Sequence, residues 1–192
     1  MKHPNCPDIV QLFDNAPGWS SRYRRTAVAL SPAWRSWLTD PGSLTRRLDA
    51  LSPGQFRVQR LADYVGRLSP TECHDLGMRW PQTGWLREVS LLVDGKEWVR
   101  ARTVVPASSM TAFGGQLRQL GTRSLGSFLF SQPDLRRQIL RICPVPASGQ
   151  RSHQLQWARR SVFLVRKRPI LVTEAFHKHI PTPPASAFRS GG

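Results

Sequence analysis

Alternation of apolar and polar positions is clearest over residues 85–106, WLREVSLLVDGKEWVRARTVVP. Two runs rich in Val, Leu, Trp and Thr flank Asp94-Gly95, a dipeptide suited to the left-handed backbone of a hairpin turn. In the first run Trp85, Arg87, Val89, Leu91 and Val93 share one face, and Leu86, Glu88, Ser90 and Leu92 share the other. A three-residue loop with Gly95 left-handed sets odd positions opposite odd ones. Val99, Ala101, Thr103 and Val105 then join the apolar face, and Arg100 and Arg102 join the polar face with Glu88. A two-residue turn would seat Trp98, Arg100 and Arg102 beside Val89 and Leu91, a poorer core, so the three-residue loop is expected. Its consequence is that Arg87 points into the apolar side of a sheet. A guanidinium there keeps its charge and needs a buried partner or a bound anion.

The same reading places the other elements. Ser31-Pro32 opens a helix carrying Trp34, Trp37 and Leu38 that stops at Asp40-Pro41-Gly42. Ser43 caps a second helix over 44–51, with Leu44, Leu48 and Leu51 on one face. Phe56, Val58 and Arg60 alternate as a strand running toward Tyr64, and 68–82 reads as loop. After Pro106, Ser108 or Ser109 caps a helix with Met110, Phe113, Leu117 and Leu120 on one stripe, ended by Gly121. A short helix follows over 125–130, then a strand over 135–142, a Pro/Gly/Ser loop over 144–152, and strands over 156–166 and 170–176 joined by a basic turn. Residues 1–30 read as irregular and 177–192 as a flexible Pro- and Ser-rich tail, leaving one domain over 31–176. About six strands on short loops, with helices in two groups, argue α+β with an antiparallel sheet.

A second charge stands among core positions. In ILVTEAF (170–176) the face of Ile170, Val172 and Phe176 also holds Glu174, the one acidic residue after Asp134 in a stretch with eleven Lys and Arg. Two readings follow. Arg87 and Glu174 neutralise each other as a structural pair, or both face a pocket, one to bind an anion and the other to accept a hydrogen bond or proton. The helix starts at Ser43-Leu44 and Ser124-Leu125 offer free backbone amides that suit a carboxylate.

Composition narrows the classes. The 192 residues are 40% hydrophobic with seven Trp and eight Phe, a folded globular make-up. No apolar run approaches the roughly 18–20 residues of a membrane span, and MKHPNCPDIV lacks a signal-peptide pattern, so a cytoplasmic location is expected. Cys6, Cys73 and Cys143 are widely spaced without a CxxC pair, against a disulfide framework or a zinc site. The net charge of +16 invites a nucleic-acid reading, but 24 of the 28 cations are Arg, scattered in ones and twos, without a zinc-finger, helix-turn-helix or RNP-like pattern. A small dianionic substrate suits such a charge equally well.

WLRE (85–88), LLVDGKEWVRARTVVP (91–106), LRQLGTRSLGSFLF (117–130) and WARRSVFLVRKRPILVTEAF (157–176) together resemble the chorismate pyruvate-lyase family of ubiquinone biosynthesis, over roughly 34–176. The resemblance implies a single domain whose six-stranded antiparallel sheet and closing helices sequester a pocket. It implies conversion of chorismate to 4-hydroxybenzoate and pyruvate without metal or organic cofactor. A monomer with no nucleic-acid partner and no stable membrane insertion is expected. The resemblance places the ring-carboxylate arginine on Arg87, the glutamate at the 4-hydroxyl end on Glu174, and two carboxylate-binding backbone amides on Leu125 and Leu44. Leu44 departs from the pattern, since familiar members carry Met there. Because the product keeps both handles of the substrate, the resemblance also implies tight product retention and turnover limited by lid opening. The alternative is a non-catalytic effector-type module of the same fold that binds small aromatic acids. Such regulators carry a winged-helix region, for which residues 1–33 are too few and too Pro-rich.

Overall fold

Ser31 and Ser43 start helices for the same reason: each hydroxyl accepts from an otherwise orphaned amide, Trp34 N at 3.4 Å and Arg46 N at 3.4 Å. The computed structural model describes residues 30–145 and 154–180. In it α1 (Pro32–Thr39) and α2 (Leu44–Leu51) are followed by β1 (Phe56–Arg67), α3 (Pro70–Asp75) and the hairpin β2 (Thr83–Val93)–β3 (Lys96–Pro106). Then come α4 (Ala107–Arg118), α5 (Leu125–Phe130), β4 (Arg136–Pro144), β5 (Leu155–Val165) and β6 (Arg168–His177). The strands form one antiparallel sheet in the order β1-β2-β3-β6-β5-β4.

The central hairpin has the expected facing by a different route. Val93 pairs with Lys96 across a two-residue turn in which Asp94 (φ 50°) and Gly95 (φ 73°) are both left-handed. Leu92 then pairs with Glu97 but Leu91 with Val99, so Trp98 bulges out and shifts the register by one. Odd positions meet odd positions after all: Val89 faces Ala101 and Arg87 faces Thr103. The bulge does what the sequence reading assigned to the loop.

One face of the sheet carries two separate cores. Toward the β2–β3 turn, Trp37, Leu38, Leu44 and Leu48 of α1 and α2 pack on Leu91, Val93, Val99 and Phe176. Toward the other end, Phe113 and Leu117 of α4 and Leu129 of α5 pack on Trp85, Val105, Phe163 and Ile170. Neither helix group fills the middle rows.

Three expectations change. The segment 68–82 is not all loop, because Ser69-Pro70-Thr71-Glu72 forms a capping box that starts α3 over the opposite face of the sheet. There Cys73 and Leu76 pack on Leu86, Val104, Val162 and Leu171. Helix α4 begins at Ala107 without a serine cap, and Ser109 lies inside it, donating to Pro169 O at 3.0 Å. His177 is the last residue of β6 rather than the first of a tail, and it and Ile180 are buried. The expectations for 1–29, for 146–152 and for the tail beyond 180 fall outside the described residues.

Candidate active site

The rows that the helices leave open enclose a void of about 600 Å³, its mouth included. Its floor is Val89, Leu91, Ala101, Thr103 and Val172, its walls reach Arg137 and Phe163, and its cover is the starts of α2 and α5. Ala101 leaves room by being small, and the two covering helix starts abut. A Cβ placed on Gly126 would fall 2.8 Å from Thr45 Oγ1, so glycine permits their close approach.

Both charges singled out from the sequence line this void, and they do not touch each other's partners. Arg87, only 2% exposed, donates Nη2 to Gly121 O (2.6 Å) and Arg123 O (3.3 Å), and Nη1 meets Asp63 Oδ2 at 3.5 Å. It therefore anchors the segment that leads into α5. Burial pulls its pKa below the usual arginine value, with Asp63 opposing the shift. Glu174 Oε2 instead accepts from Arg159 Nε at 2.5 Å. The structural Arg87–Glu174 pair weighed from the sequence does not form.

Leu44 and Leu125 begin α2 and α5, as expected, and both border the void. Ser43 and Ser124 cap the third residue of each helix, at Arg46 and Ser127, so the amides of Leu44 and Leu125 have no acceptor within their own helices.

Two arginines escaped the sequence reading. Arg159 is 1% exposed and donates Nη1 to Trp37 O (3.0 Å) and Asp40 O (3.2 Å) besides holding Glu174. Arg137 places Nη1 on Asp40 O at 3.0 Å and its guanidinium carbon 4.9 Å from the Phe163 ring centre. Its Nε is buried without a partner. Burial, then the charge of Arg159, pull the Arg137 pKa down. Alternation of Trp157, Arg159, Ser161 and Phe163 was a readable signal for the first. Arg137 had none, because Arg136-Arg137 at a strand start reads as a solvated end.

Elsewhere, Cys73 and Cys143 are free and buried, and burial pushes the Cys143 thiol up to about 12. Among the described residues no His, Cys, Asp and Glu side chains gather in threes as a metal site, and no helix is long and apolar enough to cross a membrane.

Comparison with known proteins bears on most of the chain. A chorismate lyase family profile matches residues 19–182. A probable chorismate pyruvate-lyase of Pseudomonas aeruginosa is 41% identical over 152 residues, 77% of this chain and 85% of that protein. One from Azoarcus sp. is 39% identical over 174 residues, 82% of this chain and 89% of that protein. Among solved structures, the effector domain of PhnF from Mycobacterium smegmatis is similar with a TM-score of 0.52 at 14% identity, covering 71% of this chain and 89% of that one. A GntR-family regulator from Bacillus cereus is similar with a TM-score of 0.50 at 9% identity, covering 65% of this chain and 93% of that one. These last two likenesses concern the fold alone. With its sheet, its covered void and relatives near 40% identity over most of its length, the chain belongs to the chorismate lyase family of enzymes.

Proposed function

We propose that the protein eliminates pyruvate from chorismate to give 4-hydroxybenzoate, without metal or organic cofactor, as a cytoplasmic monomer at the first committed step of ubiquinone biosynthesis. The observation that carries this reading is that Arg87 and Glu174 line one void while each is steadied by a different protein partner. Chorismate is a cyclohexadiene with a carboxylate at C1, an enolpyruvyl ether at C3 and a hydroxyl at C4. Arg87 takes the ring carboxylate, joined by the first amides of α5 at Leu125 and of α2 at Leu44. Glu174 has Oε2 engaged by Arg159, so Oε1 accepts from the C4 hydroxyl and fixes the ring about its long axis.

The chemistry asks little more of the site. The C3–O bond breaks, the C4–H electron pair becomes the new ring double bond, and the released proton ends on the departing enolpyruvate, which leaves as pyruvate. Aromaticity drives the step, so orientation, exclusion of water and balance of charge are what the protein contributes. A net charge of +16 favours encounter with a dianion.

The test is to incubate purified protein with chorismate, following 4-hydroxybenzoate by absorbance and pyruvate with lactate dehydrogenase. Equimolar products, unchanged by EDTA, are expected, and absence of either product refutes the reading. The product keeps the ring carboxylate and the 4-hydroxyl, so 4-hydroxybenzoate is also expected to inhibit strongly. An initial rate unchanged at product concentrations well above substrate would contradict the assigned binding mode.

A further inference from the structure

The charges around the void do not balance, and the imbalance has a direction. Arg159 is spent: Glu174 holds its Nε and two carbonyls hold Nη1. Besides two carbonyls, Arg87 has Asp63 as its one carboxylate partner among the described residues, at 3.5 Å and itself 21% exposed. Among the described residues Arg137 has no carboxylate partner, one carbonyl contact and a buried Nε that nothing accepts from. Leaving such a donor unsatisfied is costly unless a ligand completes it. The lining thus presents two under-compensated cations, Arg87 and Arg137.

Their placement separates them. Arg87 is on β2 and Arg137 on β4, with β3, β6 and β5 between, so their backbones stand roughly 19 Å apart at ~4.8 Å per strand. Both side chains reach inward over the same face and line the void from opposite sides. Arg137 lies on the side of Glu174 and Arg159, near enough that both charges bear on it.

We propose that Arg137 receives the carboxylate of the enolpyruvyl group. This rests on the reading of the site as a chorismate site. In that substrate the C3 ether is next to the C4 hydroxyl, so a ring whose hydroxyl meets Glu174 swings its C3 substituent toward the β4 wall, where Arg137 stands beside Phe163. The substrate brings two carboxylates to two under-compensated guanidiniums. The aromatic product brings one. Charge also grows on the ether oxygen as the C3–O bond lengthens, so a fixed cation on that side favours the transition state as well as the bound substrate.

The experiment compares substrate with product in Arg137→Gln. Expected are a fall of about 100-fold in kcat/KM for chorismate and a Kd for 4-hydroxybenzoate within about threefold of the parent, since the product lacks the group that Arg137 reads. Arg137→Lys, which keeps the charge without the planar fork, is expected to recover part of the loss. A kcat/KM within about threefold of the parent in Arg137→Gln overturns the inference. So does a parallel loss of affinity for 4-hydroxybenzoate, which would make Arg137 a support of the whole pocket. Chorismate turnover by the parent protein, measured first, separates the two levels: without it the proposed function fails and takes this inference with it, whereas turnover with an indifferent Arg137 fails the inference alone.

Discussion

The sheet buries charge on both faces, and the two faces treat it oppositely. On the face under α3, Arg102 gives Nε to Glu72 at 2.8 Å and Nη1 to Glu88 at 2.6 Å. Arg160 and Arg141 share the two oxygens of Asp75, at 3.1 Å and 2.9 Å. The carboxylates Glu72, Asp75 and Glu88 there each have a cation, and Cys73 and Leu76 of α3 pack on the sheet beside them. Burial alone would lower the Arg102 pKa, but Glu72 and Tyr64 outweigh it and raise it. On the other face three guanidiniums converge on a void with Glu174 as its one lining carboxylate among the described residues. A buried ion is therefore not in itself the mark of a site. A surplus of one sign beside empty space is.

The contrast breaks most visibly at Arg102. Arg102→Met takes from Glu72 and Glu88, each 2% exposed, the guanidinium they share, and is expected to cost about 3–5 kcal/mol of stability in denaturant titrations. The molecules that remain folded should keep their turnover. Replacing Glu72, Glu88 and Arg102 together by apolar residues is expected to restore most of the loss, because the network satisfies itself and serves no ligand. A triple variant no more stable than the single one would mean that the network specifies the fold rather than merely closing on itself.

Arg87→Gln is the counterpart on the open face. Turnover of chorismate is expected to fall about 10²–10³-fold, as when one preorganised charged donor is removed. Its stability should fall less than that of Arg102→Met, since the partners lost are two backbone carbonyls and a distant, partly exposed Asp63. Circular dichroism melting together with pyruvate release decides between them. A variant that unfolds before it loses activity would assign Arg87 to the fold.

What was legible in the sequence follows the same divide. Arg87 and Glu174 stood out because each interrupts an apolar period-2 face, and strand register carried both to one void. Leu44 and Leu125 were legible as first helical residues because serine caps are local. Arg159 was readable from its alternation with Trp157, Ser161 and Phe163, but the adjacent Arg160, on the opposite face, makes the pair read as one basic step. Arg137 depended on where the outer strand lies in space, which no local pattern states. The bulge at Trp98 was invisible for another reason. A two-residue turn plus one extra residue gives the same facing as a three-residue loop, so the alternation could not tell them apart.

A smaller effect belongs to the far end of the closed face. Glu97 accepts from His177 (2.8 Å), Arg100 (2.9 Å) and Ser90. Burial alone would raise its pKa, but these three contacts outweigh it and hold the carboxyl at about 2, against an ordinary 4.5. The folded state thus holds this proton less tightly than the unfolded chain. The stabilisation is complete above about pH 4.5 and is lost as pH falls toward about 2. Glu97→Gln should therefore be less stable than the parent at pH 7, and the gap should narrow in urea titrations between pH 5 and pH 3. A gap that stays constant would show that its contribution does not depend on the charge.

The mildest test touches the seam of α3. Ser69 Oγ accepts from Glu72 N at 3.2 Å while Glu72 Oε2 accepts from Ser69 N at 2.9 Å, and the other oxygen of Glu72 holds Arg102. One carboxylate therefore caps the helix and anchors it to the sheet. Ser69→Ala removes half of the box and leaves the anchor, so a loss of about 1 kcal/mol is expected, well below that of Arg102→Met. Turnover of chorismate and affinity for 4-hydroxybenzoate should not change, because nothing of α3 borders the void. If Ser69→Ala altered product affinity while leaving stability intact, the two faces would be coupled through β2. Glu88 and Arg87 are successive residues of that strand, and the back face would then help position the anion site as well as support it.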